Sequence, residues 1–299
     1  MIEDKLNLKF YTGDDQYSDG DIEDELLRIV QEEENYEEFL MKENDWAKLY
    51  HLSKVRQNIL EWYPFDPFGT VLEIGAGCGA ITGLLCEKTK KVTCIDLSKR
   101  RSLINANRNK NHDNLEIVVG NFKDISLEEK FDYVTLIGVF EYSIYYVGGK
   151  RPFEEMLERA KSYLKPGGKL IIAIENKYGL KYFAGATEDH TGGYFDGIEN
   201  YAHVDRVRTF SRQTLEKLLV EAGFSTNDFY YPMPDYKMPT TIYSDDYLPE
   251  ISDLRGTEYA LDRDRLLFFS EALAFDSICQ DHLFPIFANS FLVFSSKED

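Results

Sequence analysis

The run TVLEIGAGCGA, residues 70–80, joins a β-branched segment to a turn in which Gly75, Gly77 and Gly79 alternate with small residues. A strand that ends in such a turn brings bare backbone to its carboxyl end, where ligands of open α/β sheets sit. An acid, Glu73, lies two residues before the first glycine. Twenty-one residues past Gly75, the run KVTCID (91–96) ends on Asp96, placed for a carboxylate that accepts hydrogen bonds from the two ribose hydroxyls of an adenosine cofactor.

Outward from this turn, short apolar runs alternate with helical spacing. TVLEIG, KVTCID, LEIVVG (115–120), FDYVTLIG (131–138) and KLIIAIE (169–175) read as strands. Helices are predicted at about 80–88, 98–110 and 152–164. FSRQTLEKLLVEAGF (210–224) predicts a helix capped by Ser211 and closed near Gly223, and TNDFYYP (226–232) and NSFLVFS (289–295) supply two more strands. Strand–helix alternation implies right-handed crossovers, so the expected fold is α/β, a doubly wound, seven-stranded and mostly parallel sheet of Rossmann-like type. Upstream, helical spacing begins at Ile22 and a second helix is predicted over about 45–62, ahead of Pro64 and Pro67. Residues 1–45 form an arm with its helix, and 46–299 the main domain, with insertions at about 176–210 and 233–282. The second insertion carries a helix near 263–278.

Of the 299 residues, 53 are acidic and 34 basic, for a net charge of −19. The arm holds 16 acids against 4 bases, so most of the excess lies outside the main domain. A chain this acidic repels phosphate backbones and anionic lipid heads, so neither nucleic acid nor membrane insertion is expected. No apolar stretch reaches the roughly 18 residues of a membrane span, and the first residues lack the pattern of a secretory leader, which points to a cytoplasmic location. The four cysteines form no CxxC pair and are expected reduced.

The details of the turn separate its ligands. Dinucleotide sites use G-x-G-x-x-G/A around a pyrophosphate, whereas here the spacing is G-x-G-x-G and Glu73 stands beside it. An acid there repels a pyrophosphate and suits the amino group or sulfonium of S-adenosylmethionine. The chain resembles the class I S-adenosylmethionine-dependent methyltransferases from about Trp46 to Phe224 and in its last two strands. VLEIGAGCG, CIDLS, the Gly120–Asn121 turn, FDYVTLIGVFEY, LKPGGKLIIAIEN and the helix of 210–224 match that family's motifs in order. The resemblance implies that Glu73, Gly75, Ala76, Gly77 and Gly79 flank the methionine part, Asp96 and Leu97 the ribose, and Asn121 and Phe122 the adenine. It places Gly138 on the floor near the methyl and lets Arg56, in HLSKVR, pair with the methionine carboxylate. The family usually has Asp where Asn121 stands.

The acceptor is read from what surrounds the pocket. GVFEY (138–142) lacks the D/N-P-P-Y/F motif of nucleic-acid amino methyltransferases and the Pro-Cys of cytosine-5 enzymes, and Tyr142 stands where many small-molecule relatives have His. The insertion offers Glu188, Asp189, His190, Asp196, Glu199 and His203 among Gly and Tyr. The expectation is that His190, oriented by Asp189, deprotonates a hydroxyl of a carbohydrate stacked on neighbouring Tyr. A magnesium set of Asp189, His190, Asp196 and Glu199 ranks lower because its spacing fits no template, so no metal is expected. The segment 175–201 also resembles methyltransferases that accompany bacterial surface-polysaccharide glycosyltransferases. The expected function is O-methylation of a sugar or polysaccharide precursor, with a second copy of the chain or a glycosyltransferase as a partner. The alternatives are a phenol, polyketide or carboxylate methyltransferase, or a non-catalytic cofactor-binding module that docks to a glycosyltransferase.

Overall fold

The computed structural model describes residues 2–15, 20–33, 35–42, 45–257 and 265–297. They divide into two compact units, Met1–Ile137 with Arg159–Leu170, and Gly138–Glu158 with Ile171–Asp299.

The first unit opens with strand β1 (Leu6–Asn7) and helices α1 (Ile22–Glu32) and α2 (Tyr36–Leu40). Leu26, Ile29 and Val30 share one face of α1 and are buried with Leu52, Cys78 and Ile104. Each such burial contributes roughly 1.5–3 kcal/mol, which ties the acidic arm to the sheet's helices and to the glycine turn. The single helix predicted over 45–62 is instead α3 (Trp46–Leu52), a 3₁₀ turn (Lys54–Gln57) and α4 (Asn58–Glu61). Ser53 breaks it: its backbone is extended at φ −63°, ψ 139°, and its side chain caps the 3₁₀ turn by accepting from the amide of Val55.

Beyond these lie β2 (Thr70–Ile74), α5 (Thr82–Lys88), β3 (Lys91–Asp96), α6 (Lys99–Arg108), β4 (Leu115–Val119), β5 (Phe131–Ile137) and β6 (Leu164–Glu175), the last of which runs on into the second unit. The strand order in the first unit is β1-β4-β3-β2-β5-β6. The pairs from β1 to β5 are parallel, with Val71 beside Val92 and Val92 beside Leu115. Only the first residue of β2 and of β3 escapes burial, as expected of parallel strands covered on both faces.

The second unit contains α7 (Ser143–Tyr146), α8 (Pro152–Ser162, whose last turn belongs to the first unit), α9 (Leu180–Phe183), α10 (Arg212–Glu221), β7 (Thr226–Met233), β8 (Thr241–Ser244), α11 (Glu271–Gln280), α12 (Phe284–Phe287) and β9 (Ser290–Ser296). Its strand order is β6-β9-β7-β8, with β7 antiparallel to both neighbours. Ser211 caps α10 by accepting from the amide of Thr214, and Gly223 at φ +84° ends it. The helix predicted from Arg263 begins at Glu271; residues 263–264 lie outside the described residues.

Among the described residues there are nine strands, where the sequence predicts seven. The additions are β1, only two residues long, and β8, four residues inside an insertion; neither is long enough to show alternation. No helix among the described residues is long and apolar enough to cross a membrane.

Candidate functional site

In the first unit the glycine turn is fastened to the end of β3. The amides of Gly75 and Ala76 donate to the carbonyl of Ile95 at 2.8 and 3.2 Å. Asp96, 7% exposed, accepts from the amide of Gly77 at 2.7 Å and from that of Ser98 at 2.9 Å. Gly75, Gly77 and Gly79 all have positive φ (+70°, +53° and +77°), and a Cβ on Gly79 would stand 2.4 Å from Oδ1 of Asn105. Positive φ favours glycine at all three places, and at Gly79 the Asn105 side chain also leaves no room for a Cβ. Burial raises the Asp96 pKa, with Arg101 and the two amides opposing.

Glu73 sits beneath the turn, 4% exposed, with Oε2 accepting from Thr82 Oγ1 at 2.6 Å and from Cys94 Sγ at 3.2 Å. Burial pushes its pKa up to about 7, against the hydrogen bonds from Thr82 and Cys94. Leu97 is half-buried beside Asp96. Asn121 is half-buried, and its Oδ1 accepts from the amide of Lys123 at 3.1 Å. Phe122 is buried, with the Arg159 guanidinium 4.9 Å from its ring centre and Tyr163 at 5.9 Å. Arg56 is buried, its guanidinium 4.2 Å from the centre of the Tyr50 ring.

Acid 15 of the arm reaches the same region. Asp15 accepts from the amides of Lys99 and Arg100 at 2.7 and 3.1 Å and from Ser98 Oγ at 3.0 Å, at the N-terminus of α6. Its carboxyl lies below the usual range because these hydrogen bonds outweigh a partial desolvation.

The second unit holds Gly138 at φ +67°, where a Cβ would lie 2.8 Å from the Tyr236 hydroxyl. It also holds a buried cluster centred on His190. The ring's Nδ1 lies 3.0 Å from Glu188 Oε1, and its Nε2 lies 3.5 Å from Glu141 Oε1 and 3.8 Å from Glu175 Oε2. Glu188 Oε2 also accepts from the amides of His190 and Thr191, each at 2.7 Å. Burial works against a charged imidazole, but Glu175, Glu141 and Glu188 outweigh it and hold the His190 pKa well above its ordinary value. Burial raises the Glu141 carboxyl; Glu188, despite burial, is lowered by His190 and the backbone amides.

Asp189 does not orient His190. Its carboxylate takes Lys181 Nζ at 2.9 Å, Lys237 Nζ at 2.7 Å and the Tyr182 hydroxyl at 2.6 Å, and the two lysines hold it well below the usual range in spite of burial. Adjacent residues in this turn point to opposite sides, so Glu188 takes the place the sequence suggests for Asp189. Asp196 accepts from Thr191 Oγ1 at 2.5 Å, and Glu199 is exposed. Glu141 and Glu175 join His190 although the sequence reading passes over them. The available signal is that Glu175 ends a buried strand and Glu141 follows one, at the carboxyl ends where such sheets place chemistry. The aromatic surplus divides: Tyr182, Tyr201, Tyr231, Tyr236 and Tyr243 are buried, whereas Tyr194, Phe195 and Tyr247 are exposed. All four cysteines are free thiols.

A family model described as a methyltransferase domain matches residues 72–170. An uncharacterized methyltransferase of Staphylococcus carnosus is 32% identical over 144 residues, 44% of this chain and 65% of that protein. The malonyl-[acyl-carrier protein] O-methyltransferase of Priestia megaterium is 27% identical over 105 residues, 34% of this chain and 35% of that enzyme. The chain thus spans less than two thirds of either relative. Phosphoethanolamine N-methyltransferase 1 of Haemonchus contortus, solved with phosphoethanolamine and S-adenosylhomocysteine, superposes with a TM-score of 0.51 at 14% identity, over 93% of this chain and 49% of that one, a likeness of fold. The domain match runs from β2 through the glycine turn into β6, so the turn and Asp96 lie in a stretch similar to a methyltransferase domain.

Proposed function

We propose that the chain transfers a methyl group from S-adenosylmethionine to an acceptor oxygen. The observation that carries the cofactor half is the left-handed glycine turn bound through Gly77 to Asp96. A carboxylate has lone pairs beyond the two taken by Gly77 and Ser98, so Asp96 remains able to accept from ribose hydroxyls. Glu73, Gly75, Ala76, Gly77 and Gly79 are assigned to the methionine part, Leu97, Asn121 and Phe122 to the nucleoside, and Arg56 to the carboxylate.

The acceptor we assign is a hydroxyl of a sugar or polysaccharide precursor. The exposed rings of Tyr194 and Phe195, four and five residues past His190, offer flat apolar surface for a sugar face. His190 and Asp189 are read in roles other than a base and its orienter. His190 is fixed through Nδ1 on Glu188, not on Asp189, and Asp189 anchors Lys181 and Lys237. A carboxylate acceptor is the second reading, favoured by the likeness to the Priestia megaterium enzyme, which is named for O-methylation of a malonyl group. The free cysteines support a cytoplasmic setting.

Calorimetry with S-adenosylmethionine and with NAD tests the cofactor; binding of NAD alone would overturn the reading. Release of S-adenosylhomocysteine upon addition of sugar acceptors, against malonyl and phenolic ones, tests the acceptor. Asp96→Ala is expected to weaken S-adenosylmethionine binding at least tenfold.

A further inference from the structure

The geometry points to a divalent metal site in the second unit, formed by Glu141, Glu175 and Nε2 of His190, that binds a first-row cation such as Mn²⁺ or Zn²⁺. One ligand atom from each of the three residues lies within 4.8 Å of the other two. Ligands about 2.1 Å from a common metal stand roughly 3–3.5 Å apart, close to the 3.5 and 3.8 Å that separate Nε2 from the two carboxylates.

Two observations beyond proximity single out this cluster. The side chains of Glu141 and Glu175 are 1% and 0% exposed, and Oε2 of each has no hydrogen-bond partner. A buried carboxylate oxygen left without a partner is costly; that of Glu175 is the atom facing Nε2 of His190, that of Glu141 belongs to the carboxylate whose Oε1 faces it, and a cation between them would satisfy both groups. The surroundings also fix the ligand atoms. Lys237 occupies Oε1 of Glu175 at 2.5 Å, leaving Oε2 for the metal, and Glu188 occupies Nδ1 of His190, leaving Nε2. A carboxylate on the far nitrogen of a ligating histidine is the usual outer-shell partner and raises its donor strength.

Charge supports the same conclusion. The cluster gathers five acids, Glu141, Glu175, Glu188, Asp189 and Asp235, around two lysines, Lys181 and Lys237, and one histidine. The acids outnumber the basic side chains by two, an excess that a divalent cation offsets. The donor set of two oxygens and one imidazole nitrogen suits Mn²⁺ or Zn²⁺ better than the all-oxygen shell that Ca²⁺ prefers. Three protein ligands leave positions for oxygen from outside the chain, and under the O-methylation reading, on which this last step rests, the acceptor hydroxyl is bound and made acidic there.

The test uses the full chain after chelation and dialysis. Binding of Mn²⁺ and of Zn²⁺ is measured by calorimetry, and bound Mn²⁺ by electron paramagnetic resonance, without cofactor or acceptor. One equivalent is expected, with affinity reduced at least about tenfold in Glu175→Gln and His190→Ala and unchanged in Glu199→Gln. Glu141→Gln, which keeps shape and removes charge, serves if another variant fails to fold, as judged by its thermal transition. Absence of binding by the wild-type chain, or equal binding by wild type and Glu141→Gln, would overturn the site. Metal binding without S-adenosylmethionine binding would instead retain the site and remove the methyltransferase reading.

Discussion

Glu188 holds His190 from two directions: its Oε1 lies 3.0 Å from the ring's Nδ1, and its Oε2 accepts the amide of the same residue at 2.7 Å. One carboxylate thereby fixes both backbone and ring, and Tyr201 donates to it as well at 3.1 Å. Replacing Glu188 with Ala strands these buried donors together with the imidazolium. The expected cost is about 3–5 kcal/mol, measured by urea denaturation at neutral pH. Glu188→Gln, which retains an acceptor oxygen, is expected to lose less.

Gly79→Ala places a Cβ 2.4 Å from Asn105 Oδ1 on a backbone at φ +77°. Asn105 is buried and bonded to Thr82, so it has little freedom to withdraw. A loss of about 1–3 kcal/mol is expected, together with weakened S-adenosylmethionine binding. Gly77→Ala meets only the end of the Arg101 side chain, at 3.1 Å, and is expected to cost less stability. Equal effects in thermal melts would show that the two glycines are under the same constraint.

Glu73 makes stability depend on pH in a definite direction. Its pKa of about 7 in the folded chain, against an ordinary 4.5, means that the folded state binds the proton more tightly. The stabilisation is complete below pH 4.5 and is lost as pH rises through about 7, with a full effect of roughly 3 kcal/mol. Glu73→Gln removes the titration. Its stability relative to wild type is expected to increase between pH 5 and pH 8, and a difference that stays flat over that range would contradict the raised pKa.

Asp15 caps α6 although 84 residues separate it from Lys99. Asp15→Ala is expected to cost about 1 kcal/mol, as loss of a helix cap does, and Asp15→Asn less. Hydrogen exchange should show the change at the amides of Lys99 and Arg100. Protection unchanged at both amides would mean that the arm does not hold this end of the helix in solution.

The sequence alone determined the alternation of strands and helices, because buried parallel strands must be runs such as VTCI and because caps such as Ser211 are local. It also determined the glycine turn and Asp96, whose spacing along one chain segment is itself the geometry. It could not show β1 or β8, which are too short to carry a period and exist only as additions to a sheet edge. Nor could it show that Ser53 splits a predicted helix or that α1 of the arm packs against Cys78 and Ile104. The second-unit cluster was decided only by tertiary structure. Glu141, Glu175, His190 and Lys237 are far apart in sequence, and burial, a property of the folded chain, determines which of many acids lose their water and must find a partner. The same burial separates Glu188 from Asp189, two neighbours indistinguishable by composition: one faces His190 and the other faces Lys181 and Lys237.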